Sequence, residues 1–448
     1  MASIDTSGSG VGSLHMPKAC CETISDKFDM ESDVPLESAQ LNGITSFSRP
    51  VGGIPAGSPF TFELTPVSDM FLAMNSMYIY GKCQVVHADG TKIADTEKVG
   101  LCNAFGLSLF DEISVFLNGF KISQDSDTNV PYKSMIETML SADSNVENTH
   151  LKTTLFKLEK PANLENFDST DANNQEFKER ADFIKGSRVF DFTAPVVTDF
   201  TRSDNHLSPG STLLIKAKLN SNAFLIKSAE ESPDYKVVIK ELRLYHHHIR
   251  LDPSVSAKII GKPHRYLMAK TQLLHRSLPT GLTNYHCQLF QGLMPRTIVV
   301  CMVRTEAFNG NYKYNPYNFQ HFNLQQLNLR INGSAVPGDF LTPDFDNDLY
   351  MREYLELFRN IGAFPRTDRG SIVTYERFKQ GLCFYPLDLT PDLCNSDHLH
   401  VSRNSVVSVE FTFKKPLANT ITLLFYAVFN QRITTNPDIK LASAIEIL

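Results

Sequence analysis

Apolar and polar residues alternate along most of this chain, in short runs that turn-forming residues interrupt. Residues 60–64 (FTFEL) alternate cleanly, 77–86 (MYIYGKCQVV) alternate across one Gly, and 107–116 and 120–122 flank an Asn-Gly pair. A period of two puts successive side chains on opposite faces of a pleated strand, so each run predicts a half-buried β-strand, with Gly81 marking a bulge. Further strands are predicted at 189–192, 213–219, 224–226, 235–239 and 242–251 (LRLYHHHIRL), then at 286–290, 382–389, 406–413 and 420–430. Residues 297–304 (TIVVCMVR) are apolar almost throughout, which predicts a strand buried on both faces. Residues 265–276 fit either strand or helix. Helical spacing occurs at Tyr132, Met135, Ile136, Met139 and Leu140, and again at Leu349, Tyr350, Tyr354, Leu355 and Phe358.

These parts are written twice in the same order. Residues 113–119 (ISVFLNG) and 327–333 (LNLRING) are alternating strands that end in Asn-Gly, the pair that supplies both positive-φ residues of a type I′ hairpin. Each is followed by one of the two helical patterns. Further on, 197–219 (VTDFTRSDNHLSPGSTLLIKAKL) is echoed from Thr390 by TPDLCNSDHLHVSRNSVVSVEFTF. Asp199 and Asp392 are 193 residues apart, as are Asp204 and Asp397 (392 − 199 and 397 − 204). The hairpins are 214 apart (332 − 118), so the first copy carries an insertion of about 21 residues within the polar stretch 143–188.

Turn signals roughly every 8–15 residues favour a β-sandwich over an α/β sheet, and long inter-strand insertions favour the eight-stranded jelly roll. The expected fold is all-β, two tandem jelly rolls with short helices in the loops. We expect a flexible N-terminal arm over 1–40, a first roll over 41–255 with its loop insertion at about 143–188, a second roll over 256–432 and a C-terminal tail over 433–448. The junction is set near 252–262, where Asp252-Pro253-Ser254 breaks the strand pattern.

Composition narrows the function. A net charge of −6 supplies no global basic field for nucleic acid. No apolar run approaches the length of a membrane-spanning helix, and residues 1–13 lack the pattern of a signal peptide. The 8 cysteines form no CxxC pair, which points to reduced thiols in a cytosolic or nuclear setting. The 31 Phe suit sheet interiors.

Candidate chemistry is thin. In His246-His247-His248 a strand brings at most two side chains to one ion, too few for a closed zinc site, so surface or interface histidines are expected. His398 and His400 with Glu410 faintly resemble a cupin metal site, but the other copy offers only His206 and the glycine framing is missing. Cys301 with His264 or His275 as a nucleophile and base has no small-residue elbow, and a buried strand cysteine is expected. Spacings such as Gly106–Gly119 form no phosphate loop. Asp199, Asp204, Asp392 and Asp397 are read as turn formers rather than paired catalytic carboxylates, because both copies have them. Tyr312, Tyr314, Tyr317, Phe319 and Phe322 form an aromatic loop cluster. With only Lys313, Arg304 and Arg330 as positive charge, it suits subunit contact better than bases. The expectation is therefore no catalytic residue, no cofactor and no metal.

The stretches 273–282 (LLHRSLPTGL), 294–322 (MPRTIVVCMVRTEAFNGNYKYNPYNFQHF), 329–337 (LRINGSAVP) and 384–429, with FDFTAPVVTDF through LYHHHIRLDPSV in the first half, resemble the double jelly-roll major capsid proteins of Polinton (Maverick) elements and adintoviruses. The resemblance spans the chain from about residue 36 and is weakest in 1–35 and 143–188. It implies a non-enzymatic virion protein made in the nucleus or cytoplasm of a host cell. It also implies homotrimeric capsomers of pseudo-sixfold outline that tile an icosahedral shell with neighbouring capsomers and a minor or vertex capsid protein. Membrane insertion and sequence-specific nucleic-acid binding are not expected. Readings from other classes are a carbohydrate-binding or hydrolytic β-sandwich, a minor (vertex) capsid protein, or a copy retained by a host for another role.

Overall fold

The computed structural model describes residues 37–54, 59–65, 67, 69–123, 127–143, 145–260, 262–365, 370–391, 403–436 and 441–447. In chain order the strands are β1 (Gln40–Ser48), β2 (Phe60–Leu64), β3 (Met70–His87), β4 (Val99–Leu101), β5 (Phe110–Leu117), β6 (Phe120–Lys121), β7 (Phe190–Pro195), β8 (Leu213–Leu219), β9 (Ile226–Ser228) and β10 (Tyr235–Leu251). They continue with β11 (His264–Leu278), β12 (Asn284–Leu293), β13 (Thr297–Arg304), β14 (Leu324–Ile331), β15 (Ser334–Leu341), β16 (Tyr385–Asp388), β17 (Asn404–Phe413), β18 (Ile421–Asn436) and β19 (Leu441–Ile447).

These strands form two pairs of sheets with one topology. The first pair is β1-β10-β3-β7 and β2-β8-β5-β6; the second is β11-β18-β13-β16 and β12-β17-β14-β15. With the short ribbon β4-β9 and the added strand β19 set aside, both pairs follow the order 1-8-3-6 and 2-7-4-5 by rank within their own half. That winding of one hairpin ribbon over two sheets is the jelly roll, and the chain contains it twice. Phe60, Phe62, Val115 and Ile215 of one sheet and Ile79, Cys83, Val85 and Leu244 of the other fill the first sandwich. In the second, Phe429 meets Phe290 and Phe425 meets Phe411 across the two sheets.

Local chemistry accounts for the repeated corners. Asn118 and Gly119 take φ of 50° and 87°, and Asn332 and Gly333 take 51° and 85°. Leu117 thereby pairs with Phe120 and Ile331 with Ser334 across two-residue turns. Beyond each hairpin lies the expected helix, Val130–Ser141 in the first roll and Met351–Asn360 in the second. The ambiguous 265–276 resolves as strand β11. Between the rolls Pro253 starts the short helix Pro253–Ile260, whose first turn the Asp252 carboxylate holds through Ser254 N (2.9 Å) and Oγ (2.5 Å). A proline that cannot continue a strand is well placed at a helix start.

Three expectations about the connecting segments change. Residues 1–36 of the expected arm lie outside the described residues, but Gln40 already opens β1, which pairs with β10 along its length. The stretch 143–188 is a folded insertion, with a helix at Gln175–Asp182 and short 3₁₀ turns, that buries Leu155, Phe156, Phe167, Phe177 and Ile184. The expected tail contains β19, which pairs antiparallel with the end of β18. Its backbone groups thus extend a sheet instead of facing water.

Candidate functional site

The most built feature of the molecule is the seam between the two rolls. β18 is apolar on both sides because its odd residues, among them Phe425 and Phe429, fill the second sandwich while Tyr426 and Val428 point outward. Against that outward face lies helix Val130–Ser141, which buries Tyr132, Met135, Ile136 and Met139. Polar side chains of the helix and of the turn after β7 meet the sheet directly. Lys133 Nζ reaches Thr271 O at 3.5 Å, and the Asp199 carboxylate accepts from Thr271 N (2.9 Å) and Oγ1 (2.7 Å). Burial pushes the Asp199 carboxyl up and the Lys133 amine down to about 8, with each group's charge opposing the other's shift. Arg202 grips Glu137 with both guanidinium nitrogens, and the Tyr426 hydroxyl donates to the same carboxylate.

The folded insertion and the aromatic loop complete the seam. Asn315 donates from its backbone to Glu165 (2.9 Å) and from its side chain to Glu159 (2.8 Å) and Leu164 O (3.0 Å), while Asn318 donates to Glu165 (2.6 Å). Glu159 is held by Arg180, whose Nε donates to Leu101 O. Tyr317 and Ser108 share a hydroxyl contact of 2.5 Å, and Tyr312 donates to Tyr235 O at 2.9 Å. The Tyr132 ring packs against Phe308, Tyr317 and Phe319 of the second roll. Lys227, fully buried, donates to Asn311 O at 2.7 Å and to Ala223 O at 2.9 Å, and burial lowers its amine to about 8.

The loop aromatics therefore serve a contact within one chain, where the sequence suggested a contact between subunits. The sequence missed this because the partners, Ser108, Tyr132 and Glu165, are more than a hundred residues away. Asp199 is also reassigned. It bridges the rolls instead of shaping its own turn, whereas Ser203 does shape the local turn by accepting from Asn205 N (3.3 Å). Asp392, Asp397, His398 and His400 lie outside the described residues. Glu410 pairs with Arg330 (2.9 Å) and Asn328 (2.9 Å) across β17 and β14, and that ion pair holds its carboxyl below the usual range.

The histidine run splits as strand geometry requires. His246 and His248 are buried on the inner face with Nδ1 atoms 3.3 Å apart, and Ser46 and Ser48 contact the His246 ring at 3.2 and 3.1 Å. His247 points to the other face and meets Thr45 Oγ1 at 2.9 Å. Two of the three are thus interior, where surface or interface positions were expected. Among the described residues no three His, Cys, Asp or Glu side chains converge as a metal site would require.

Cys301 is fully buried, with its thiol pushed well up by burial. His264 pairs with Thr435 on β18 and Cys301 with Leu424, eleven residues away along that strand (435 − 424), and His275 is exposed on the far side of it. Gly106 serves packing, since a Cβ there would stand 2.1 Å from Thr193 O. The cleft of about 650 Å³ along the seam is lined by Arg202, Arg296, Tyr426 and several hydroxyls, with Glu137 as its single carboxylate among the described residues. Glycoside hydrolysis uses a pair of carboxylates.

The fold so assembled is the double jelly roll, nearly all-β with short helices in its connections, as it is found in viral capsid proteins. No family model matches the sequence. An uncharacterized protein of Caenorhabditis elegans is 20% identical over 392 residues, which are 84% of this chain and 91% of that one. Among solved structures, one from the cryo-EM structure of the Sputnik virophage superposes with a TM-score of 0.63 at 13% identity, over 96% of this chain and 92% of that chain. One from the PBCV-1 virus capsid gives 0.57 at 11% identity, over 93% and 98%. The mavirus major capsid protein gives 0.50 at 12% identity, over 99% and 97%. At these identities the likeness establishes the fold. Among the described residues no helix is long and apolar enough to cross a membrane.

Proposed function

We propose that this chain is a viral major capsid protein whose work is geometric and not enzymatic. The observation that carries this reading is the repeated topology, two jelly rolls of one strand order locked side by side by a buried seam. A rigid two-roll block suits tiling, because three such blocks present six similar lobes to their neighbours. The units are 41–255 and 256–432, and the chain acts in the virion as a homotrimeric capsomer within an icosahedral shell, after assembly in the host nucleus or cytoplasm. Its partners are its own copies, neighbouring capsomers and a minor capsid protein at the vertices. The stretches 294–322 and 384–429 support placing it with the capsid proteins of Polinton elements and adintoviruses.

Among the described residues the seam cleft offers Glu137 alone, where a hydrolytic sandwich would use a pair of carboxylates. Light scattering of the purified chain tests the assembly state. The expected mass is three times 50.3 kDa, and one chain at every concentration overturns the reading.

A further inference from the structure

Within one chain the rolls meet through a helix laid on a sheet, and each of those two parts occurs a second time with its corresponding surface exposed. The contact already made sets helix Val130–Ser141 of the first roll on the outward face of β11-β18-β13, where Tyr426 of the central strand donates to Glu137. The second roll has its own helix after its own Asn-Gly hairpin, Met351–Asn360. Met351, Leu355 and Arg359 form an exposed stripe along it at i, i+4 spacing, and Leu349 stands just before it. Met351 and Leu355 are 64% and 43% exposed, and Leu349 is 68% exposed.

The first roll, in turn, has the matching sheet. Tyr245 holds on β10 the place that Tyr426 holds on β18, outward on the central strand and flanked in register by both neighbours. Tyr426 pairs with Leu273 and Val299, and Tyr245 with Phe47 and Tyr78. The Tyr245 ring lies 5.1 Å from that of Tyr78, stacked, and 5.7 Å from that of Phe47, with the Arg243 guanidinium over Phe47 at 4.9 Å. Phe47 and Tyr78 are nonetheless 43% and 38% exposed. Single exposed apolar residues need no explanation, but here a bare helix stripe and a bare aromatic face are the two halves of a contact the molecule already makes once.

We propose that helix Met351–Asn360 of one chain docks on the outward β1-β10-β3 face of a second copy, repeating between chains the contact that helix Val130–Ser141 makes within one. The contact is heterologous, head to tail, and continues the established seam from roll to roll; a rotation that closes after three copies makes it a ring of alternating first and second rolls. This rests on the capsid reading and names the surfaces that build its trimer. Phe47 and Tyr78 supply the aromatic anchors, and Met351 and Leu355 the aliphatic side chains that cover them.

The test uses the full chain with Leu355→Asp and Phe47→Asp as separate variants and Phe120→Asp, an exposed apolar position on the β6 turn, as control. All three positions face solvent within the chain, so each variant should keep the wild-type circular dichroism spectrum and unfold cooperatively, with the two trimer-breaking variants melting lower because association no longer stabilises them. Light scattering should give three chains for wild type and control and a threefold lower mass for the two variants. A Tyr78→Cys/Leu355→Cys double variant should form oxidised cross-links between chains that neither single variant forms. A trimeric wild type whose two Asp variants keep its mass overturns the surfaces while leaving the capsid reading intact. Cross-linking by Leu355→Cys alone also overturns them, because the helix would then meet its own copy. A monomeric wild type overturns both.

Discussion

His246 and His321 are each kept inside a roll as neutral imidazoles, and burial lowers both to about 4. His246 is wedged between Ser46, Ser48 and His248, whose charge adds to the effect; the His321 ring stacks on Phe345 with centroids 4.0 Å apart. In the unfolded chain such rings titrate near 6.5. Between that value and about 4 the unfolded state binds more protons than the folded one, so stability rises with pH across the window. The contribution is complete above roughly pH 6.5 and is lost as pH falls toward 4. Melting temperature measured from pH 7 down to 4 should therefore fall, and His246→Asn should flatten part of that slope. An unchanged slope in the variant would show that the buried imidazole does not report on the acid response. Strand parity in the sequence correctly set His247 apart from its neighbours. It did not show which face was inward, because Leu242 and Leu244 before the run favour one face while Ile249 and Leu251 after it favour the other. Asp199 was legible only as a turn residue for a similar reason. Its partner Thr271 belongs to the other roll, and single-sequence pattern carries no information about that pairing.

At the scale of elements, what the sequence encodes locally was legible. Both Asn-Gly hairpins and both following helices form where positive-φ turn chemistry and 3.6-residue spacing put them. The insertion was not, because its core consists of separated residues such as Phe167 and Phe177 in an irregular polar stretch. Its order comes from non-local partners, Arg180 on Glu159 and Asn315 and Asn318 on the insertion's carboxylates. One glycine shows how closely elements pack. Gly106 lies in the short helix Phe105–Ser108, and a Cβ there would meet Thr193 O at 2.1 Å and Thr154 Cα at 3.2 Å, both backbone atoms that cannot swing away. Gly106→Ala should destabilise the first roll by about 2 kcal/mol or more in urea unfolding, whereas Gly338→Ala, with nothing within 4 Å, should stay within about 0.5 kcal/mol. Equal midpoints for the two variants would contradict the close approach.

For the whole molecule, duplication is the organising fact, and the sequence displayed it through spacing alone: 193 residues between the Ser-Asp turns and 214 between the hairpins. What spacing cannot show is how two rolls are held. The structure answers with a seam of charge and aromatic contact, in which buried Lys133 and Asp199 meet Thr271, and part-buried Glu137, held by the more exposed Arg202, meets Tyr426. Pulling the rolls apart would strip the buried Asp199 of the Thr271 donors, which favours one fixed angle between the rolls. A fixed angle is what the proposed tiling requires. The most direct measurement is therefore negative-stain imaging of the purified full-length protein, read as the number of lobes in end-on class averages. Six lobes in a hexagonal outline are expected. Particles of two lobes at every concentration would contradict the proposed tiling.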